Sequence, residues 1–297
     1  MNKISKKIVS LVTTAAFVTT LVPAAAFAAD INSTVGASAE FANGTQSANV
    51  VVNSTLDLSV NVGSAALGGD GGTQIGFWAA EENTKTPVGD VDFVDANDNP
   101  LKDYGTNSNM PNMEFLQNAS PNSTNVTVKA EFDSTDAGKT FDIYAAYYTG
   151  GKTQQNLIDE AAYIGTVTVY PAASLNNTDL SMSIDGSANN TADVTVGVPE
   201  EVNYSILANG AAAMMPDGYE LNLWASADGN NATPIGVMSV TGEADASVYT
   251  LADPAKSPVE VTFNVDGTYT LFLGYTNPSG DRIVLQKITV NVADPAS

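Results

Sequence analysis

Two short segments of this chain share one pattern and contain its only two tryptophans. Residues 74–80 carry Trp78 and residues 220–226 carry Trp224, each near the end of its segment. Both segments continue into a polar turn and then into Pro-Val-Gly or Pro-Ile-Gly. A strand, a turn and a further strand that recur in this way indicate one structural unit that is present twice.

The repetition also covers segments before and after the tryptophans. The segments that begin at residues 31 and 48 have counterparts 144 positions later, at 175 and 192. The two tryptophans lie 146 positions apart, whereas two later tyrosine-containing segments lie 128 positions apart. The first copy therefore holds 18 additional residues after its tryptophan.

These spacings define the expected domain organisation. Most of the additional residues fall at about 94–124, which we interpret as an inserted loop. We predict a first module at residues 30–172, which contains this loop, and a second module at residues 173–297. The segment that joins them is too short to act as a flexible linker.

Apolar residues alternate with a period of two, which is typical of strands. The alternating positions are Leu56, Leu58, Val60 and Val62 in the first module and Val202, Tyr204 and Ile206 in the second. About seven short strands per module are separated by Gly, Asn, Asp and Pro turns, and only residues 154–162 suggest a helical turn or two. The pattern predicts an all-β fold of two tandem Ig-like antiparallel β-sandwich domains.

The two tryptophans are interpreted as core residues. Large aromatic side chains bury the most area per residue, so Trp78 and Trp224 are predicted to fill equivalent core positions. The alternative is that both face outwards as platforms on which sugars stack.

The first 29 residues have the pattern of a secretory signal peptide. Lys3, Lys6 and Lys7 precede an apolar stretch at residues 8–22, and Ala26-Phe27-Ala28 supplies the small residues that signal peptidase requires. We expect residues 1–29 to be removed and the mature protein to be extracellular, either secreted or held at the cell surface. No later segment is apolar for long enough to span a bilayer, so we expect no membrane insertion of the mature form.

The mature chain is strongly acidic. The sequence has 11 basic and 33 acidic residues, and three of the lysines lie in the signal peptide, which leaves a net charge of about −25. Binding to nucleic acid or to anionic membranes is excluded, because both depend on Lys and Arg. Such acidity keeps a protein soluble by repulsion, and it also offers carboxylates to divalent cations outside the cell.

The chain has neither Cys nor His. Disulfides, Cys nucleophiles, His-based triads and the usual zinc sites are therefore excluded. Neighbouring side chains on a strand point to opposite faces, so adjacent carboxylates do not readily flank one glycosidic bond. The adjacent carboxylates are Glu81-Glu82, Asp159-Glu160 and Glu200-Glu201. We predict no catalytic or cofactor-binding residue and no enzymatic activity.

The inserted loop contains the candidate metal ligands. Oxygen-bearing side chains recur at nearly alternate positions, and Asp95, Asn97, Asn99 and Asp103 are the predicted ligands of a calcium ion. The segment 95–100 resembles the Asp-x-Asn-Asp-Asn-x-Pro linker of cadherin domains, which implies calcium at a domain end. It lacks one spacer before the proline and lies inside a module. The alternative is a polar turn, because Asp, Asn and Pro are also the preferred turn residues.

The signal ending in Ala-Phe-Ala, the duplicated tryptophan segment and the acidic, Cys-free composition form a recognisable combination. Together they resemble exported proteins of Gram-positive bacteria that are built from tandem Ig-like modules, such as surface-layer, filament and adhesin proteins. The resemblance implies a structural or adhesive role at the cell surface.

Two functions follow as hypotheses. In the first, the protein is a non-enzymatic structural subunit that self-assembles into a filament or surface layer, with calcium as the candidate stabiliser and with its own copies or cell-wall components as partners. The segment 31–41 would supply an added edge strand to such contacts, or it would pair as the first strand of its own sandwich. In the second, the protein recognises a polysaccharide or another protein through the inserted loop of the first module.

Overall fold

Strands form where apolar and polar residues alternate, and they make up most of the regular structure. The computed structural model describes residues 28–105, 108–176, 180–184, 190–227, 229, 233–255 and 257–295. The segment predicted as a signal peptide lies outside the described residues except for Ala28 and Ala29. None of the described helices is long and apolar enough to cross a membrane.

The first copy of the repeat contains strands β1 to β12, a 3-10 turn at Ser134–Asp136 and one short helix, α1, at Gln154–Asp159. The strands are β1 Ala29–Asn32, β2 Ala37–Phe41, β3 Ser47–Val51, β4 Thr55–Asn61, β5 Gln74–Glu81, β6 Pro87–Val88, β7 Asp92–Asp95, β8 Lys102–Asp103, β9 Glu114–Leu116, β10 Val126–Glu131, β11 Thr140–Tyr148 and β12 Ala162–Tyr170. The helical turn expected at residues 154–162 is thereby confirmed.

The second copy contains strands β13 to β22. They are β13 Leu180–Ile184, β14 Thr191–Thr195, β15 Pro199–Ala208, β16 Ala211–Ala212, β17 Glu220–Ser226, β18 Met238–Val240, β19 Val248–Thr250, β20 Val259–Phe263, β21 Gly267–Thr276 and β22 Arg282–Ala293. Both copies have more strands than the seven that were predicted, because short pieces at the start of the repeat and in the insertion also pair.

Each repeat consists of two sheets. In the first repeat the strand orders are β1-β2-β4-β10-β7 and β3-β12-β11-β5-β9-β8, with β6 also paired to β5. In the second repeat they are β13-β15-β20-β18, with β16 also paired to β15, and β14-β22-β21-β17-β19. The duplication that the sequence indicates is therefore also a duplication of topology.

One pairing in each repeat departs from the antiparallel pattern. Strand β3 runs parallel to β12, and β14 runs parallel to β22. The chain begins each repeat in one sheet and then crosses to the other, where it lies beside the last strand of that repeat. The predicted all-β, Ig-like sandwich is confirmed, with the correction that one parallel pair lies at an edge of each repeat.

The hydrophobic core of each repeat lies between its own two sheets. In the first repeat Leu58 and Val128 face Phe77 and Ile143 across the sandwich, and all four are fully buried. The second repeat has a separate cluster that begins with Ala173. The division of the two modules at residue 173 stays a prediction.

The linker lies against the second repeat. Met214 donates its backbone N–H to the oxygen of Pro171 over 3.1 Å, and its own oxygen accepts the N–H of Ala173 at 2.7 Å.

The segment 31–41 belongs to its own sandwich. Strand β1 pairs with β2, and β2 pairs with β4. Ile31 and Phe41 are both buried in the core of the first repeat. In this arrangement the segment forms the first pair of strands of its own sheet. This is the interpretation in which it pairs within its own sandwich.

Candidate functional site

The tryptophan of the first repeat is buried on the outer face of a sheet. Ile75, Phe77 and Ala79 on β5 point into the core between the two sheets. Trp78, which alternates with them, therefore points to the opposite face, where it belongs to a second apolar cluster and has no exposed surface. The prediction of a buried core tryptophan is confirmed, and the structure adds that its cluster lies on the outer face of the sheet, because Phe77 occupies the face between the two sheets.

The inserted loop and helix α1 cover this outer face. Met110, Met113 and Phe115 from the insertion join Leu157 of α1 in the cluster around Trp78. The insertion is held down at two further points, where Asn112 donates to the oxygen of Pro87 over 3.4 Å and Gln154 donates to the oxygen of Pro111 over 2.6 Å. This part of the predicted recognition loop packs onto the sheet and does not project as a free loop.

Beside this cover the outer face is open and forms a cleft of about 390 Å³. The cleft lies between the turn that follows β5 and the outward side chains of β11 and β12. Its lining residues are Glu82, Asn83, Thr84, Lys85, Asp142, Tyr144, Tyr163 and Thr166. We call it the outer-face cleft. Its size lies at the lower end of the range of small-ligand sites, ~300–1,000 Å³.

Asp142 fixes the wall of the outer-face cleft. It is 6% exposed, and each of its oxygens accepts one hydrogen bond. The backbone N–H of Asn83 donates to Oδ2 over 2.8 Å, and the hydroxyl of Thr166 donates to Oδ1 over 2.6 Å. Because Asn83 has a positive φ of 64°, the carboxylate holds a tight turn whose side chains form one side of the cleft.

Two tyrosines form the floor and the rim. Tyr144 stacks on Trp78 with ring centroids 5.8 Å apart and an interplanar angle of 20°. Tyr163 lies at 59° to Tyr144 and is 39% exposed. Burial, together with the nearby Asp142, raises the pKa of the Tyr144 hydroxyl, which therefore stays neutral and able to donate.

The hydroxyl of Tyr163 is anchored. It lies 2.6 Å from the hydroxyl of Thr166, whose own hydrogen goes to Asp142. Tyr163 is therefore the donor to Thr166, and the chain of hydrogen bonds fixes the ring at the rim of the cleft.

The second repeat keeps the aromatic stack but differs at two positions beside it. Trp224 stacks on Phe272 at 5.5 Å and 18°, as Trp78 does on Tyr144. Strand pairing places Thr270 where the first repeat has Asp142, and Lys287 where it has Tyr163. At these two positions the lining of the outer-face cleft therefore differs from the matching surface of the second repeat.

The predicted calcium ligands lie partly in one turn. Asp95 ends β7, and its Oδ1 accepts the backbone N–H groups of Asn97 and Asn99 at 2.8 and 3.0 Å. The side-chain amide of Asn99 also donates to both oxygens of Asp95. Asp103 is separate from this turn, on β8, where it accepts the N–H of Gly105 at 2.7 Å.

The surroundings of Asp95 fit the polar turn better than an open ligand set. Burial raises the pKa of this carboxyl, but the hydrogen bonds from Asn99 and Asn97 and the charge of Lys129 lower it below its ordinary value overall. The ammonium of Lys129 lies 2.7 Å from Asp98 in the same turn. For Asp95 and Asn99 to bind one cation together, the side-chain amide of Asn99, which now donates to Asp95, would have to turn its oxygen towards the ion.

The distribution of acidic side chains over the described residues gives no independent metal site. Among the described residues, no group of three or more Asp or Glu side chains is placed to hold a metal ion. Calcium binding at residues 95–103 stays a prediction.

Sequence reasoning overlooked Asp142, Tyr144, Tyr163 and Thr166. One signal was available in the tyrosine-containing segment 140–147, where Asp142 is the only charged residue among apolar and aromatic neighbours. A strand whose odd and even positions are both apolar is covered on both of its faces. A single carboxylate within such a strand requires hydrogen-bond donors.

Comparison with known proteins gives no family assignment. No protein-family model matches the chain, and no curated protein matches it significantly. The solved structures that it resembles include the adhesin InvE of Yersinia pseudotuberculosis, with 15% identity over 82% of this chain and a TM-score of 0.29. The chain spans 56% of the length of that structure.

Two further solved structures are similar over most of their length. The D00-D0 domain of intimin has 8% identity, covers 85% of this chain and 98% of its own, and has a TM-score of 0.26. The fibronectin(III)-like modules of Clostridium thermocellum CbhA have 10% identity, cover 87% of this chain and 95% of their own, and have a TM-score of 0.27. Scores this low say nothing about what the present chain binds.

Proposed function

We propose that this chain is a non-enzymatic protein of the extracellular surface that recognises a surface component through the outer-face cleft of its first repeat. The observation that carries the proposal is the contrast between the two repeats. Both repeats bury a tryptophan under an aromatic ring. At two positions beside that ring, the first repeat has Asp142 and Tyr163, whereas strand pairing places Thr270 and Lys287 there in the second repeat.

The sequence supports an extracellular location for the proposed binding function. The signal-like N-terminus predicts export, and the absence of Cys and His leaves no thiol or imidazole for catalysis. A rigid sandwich that presents a cleft on one face is a common arrangement for recognition. The proposed site therefore lies beside the inserted loop, and the loop acts as a cover for the sheet.

Sedimentation with cell walls tests the proposal. Residues 30–297 are mixed with isolated cell walls and with intact cells of the producing organism, and the pelleted fraction is measured. The protein is expected in the pellet, Tyr163→Ala is expected to remain largely in solution, and Lys287→Ala at the matching position of the second repeat is expected to pellet normally. A parent protein that remains in solution with both preparations would overturn the proposal.

Self-assembly into a filament or surface layer is the second candidate, and one sheet edge favours it. In the first repeat β1 covers the edge of β2, whereas the corresponding strand β13 of the second repeat is the last described strand of its sheet. An uncovered edge strand is able to pair with a strand of another copy. Calcium is the proposed stabiliser of such an assembly, through the residues of the 95–103 loop.

Electron microscopy separates this candidate from a monomeric binding protein. Residues 30–297 are stained at rising concentration, once with millimolar calcium and once with chelator. Ordered fibres or sheets would support self-assembly, and their dependence on calcium would direct substitutions to Asp95 and Asn99. Isolated particles in both conditions would exclude self-assembly as an intrinsic property.

A further inference from the structure

Tyr163 offers an exposed aromatic ring with a fixed orientation. Among the described residues it is one of the few large apolar or aromatic side chains exposed by more than a third. Its hydroxyl is held by Thr166, so the ring loses little conformational freedom when a ligand packs on it. A flat ring of this kind suits the C–H-bearing face of a sugar, which is apolar although the sugar as a whole is polar.

Tyr144 provides a hydroxyl that the protein itself does not use. The ring is clamped between Trp78 and Tyr163, and it is only 6% exposed. Within the described part of the chain this hydroxyl has no hydrogen-bond partner, although it belongs to the lining of the cleft. An unpaired donor and acceptor at the floor of a cleft gains most from a ligand that carries hydroxyl groups.

The charges around the cleft favour a neutral ligand. Both oxygens of Asp142 accept a hydrogen bond and the residue is only 6% exposed, so little of this carboxylate is open to a cation. Glu82 and Lys85 are exposed and opposite in charge, and neither belongs to an ion pair among the described residues. The net charge of about −25 on the mature chain repels anions.

From these observations we infer that the outer-face cleft binds a neutral sugar ring of a glycan, with the ring packed on Tyr163 and a sugar hydroxyl bonded to Tyr144. The inference rests on the proposed binding function and names its ligand class. Glu82, Asn83 and Lys85 line the open side, where their polar groups reach the remaining hydroxyls. Because that side is open to solvent, a ring inside a longer glycan fits as well as a terminal one.

Calorimetric titration of residues 30–297 with neutral oligosaccharides tests the inference. The probes are tetraoses of N-acetylglucosamine, of β-1,4-linked glucose and of α-1,4-linked glucose, with a polygalacturonate oligomer as the charged comparison. At least one neutral tetraose is expected to bind. Tyr163→Ala is expected to weaken that binding at least tenfold, and Lys287→Ala is expected to leave it unchanged.

Tyr144→Phe keeps the stack on Trp78 and removes only the hydroxyl, so it tests the hydrogen bond in a protein that still folds. It is expected to weaken binding several-fold without changing the near-ultraviolet circular dichroism. Binding that is unaffected by both tyrosine variants would overturn the assignment of the site. Tighter binding of the charged oligomer would overturn the neutral class.

The sugar inference and the proposed function fail in different ways. A protein that pellets with cell walls but binds none of the neutral tetraoses would overturn the sugar inference and leave a binding function intact. A protein that neither pellets nor binds a tetraose would overturn both.

Discussion

Asp253 is a partly buried residue of the second repeat, and only one of its two carboxyl oxygens has a hydrogen-bond partner among the described residues. Its Oδ2 accepts the backbone N–H of Met215 at 2.7 Å, whereas its Oδ1 is buried and has no partner in the described part of the chain. Burial raises the pKa of this carboxyl to about 7, which the single hydrogen bond from Met215 only partly opposes. In the folded protein the Asp253 carboxyl is therefore mostly protonated at pH values below about 7.

The raised pKa of Asp253 predicts that stability falls as pH rises. Between the unfolded pKa of 3.8 and the folded value of about 7, the folded state keeps a proton that the unfolded state has lost. The free energy of unfolding therefore decreases across this window, by up to about 4 kcal/mol, and levels off above it. Asp253→Asn is neutral at every pH, so its stability is expected to exceed that of the parent at pH 8 and to change less between pH 5 and pH 8.

Urea unfolding at pH 5 and pH 8 measures this difference. Asp245→Asn, at an exposed loop position, serves as the matched control and is expected to follow the parent protein. An Asp253→Asn variant that loses as much stability as the parent between the two pH values would contradict the assignment.

Tyr147 and Tyr269 form a contrasting pair of buried hydroxyls. The hydroxyl of Tyr147 is buried without a partner among the described residues, whereas that of Tyr269 donates to the oxygen of Asp266 at 3.0 Å. Tyr147→Phe removes an unsatisfied group and is expected to raise the free energy of unfolding by about 1 kcal/mol, whereas Tyr269→Phe removes a hydrogen bond and is expected to lower it by about 1 kcal/mol. Chemical denaturation at pH 7 measures both, and equal shifts of the same sign would contradict this account.

At the scale of elements, the insertion of the first repeat acts as a cover for the sheet. Met113 is fully buried against the outer face, in the same cluster as Trp78. Without such a cover, an outward-facing tryptophan would be exposed to water. In this repeat the insertion therefore supplies part of the cover that a strand with apolar residues on both faces requires.

Met113→Ala tests the role of the cover. In a Trp224→Phe background, where Trp78 is the only tryptophan, the substitution is expected to cost about 2–5 kcal/mol and to shift the Trp78 emission to longer wavelength as water reaches the indole. Met238→Ala truncates a methionine of similar burial in the core of the second repeat and is expected to leave that emission unchanged. An unchanged emission in Met113→Ala would show that the cluster does not depend on the insertion.

At the scale of the whole molecule, the two repeats have separate cores and are joined by a short linker. A substitution that overpacks one core is therefore expected to destabilise one repeat only. Two glycines allow a matched comparison. A methyl group on Gly165 would lie 2.5 Å from the ring of Phe41, and one on Gly274 would overlap the backbone oxygen of Ile283.

Gly165→Ala and Gly274→Ala are each expected to cost about 1–3 kcal/mol in their own repeat. Hydrogen exchange followed by mass spectrometry, at a denaturant concentration just below unfolding, reads the two repeats separately. Gly165→Ala is expected to lose protection in residues 29–170, and Gly274→Ala in residues 180–293. Loss of protection in both repeats from either substitution would show that they unfold as one unit.

The sequence by itself determined the class of fold, the duplication and the place of the insertion. Period-two alternation is a local property of a strand, and a repeated segment keeps its spacing whatever the fold. It also determined that Trp78 and Trp224 are equivalent. It did not determine which face they occupy, because alternation separates two faces without saying which of them meets the other sheet.

Only the tertiary structure decided where the candidate site lies. Asp142, Tyr163 and Asn83 come from different parts of the chain, and they meet because β5, β11 and β12 are neighbours in one sheet. The turn at Asp95 is a second case in which the sequence alone did not decide the structure. Its residue types suit either calcium or a polar turn, and only the folded backbone shows that the polar turn forms.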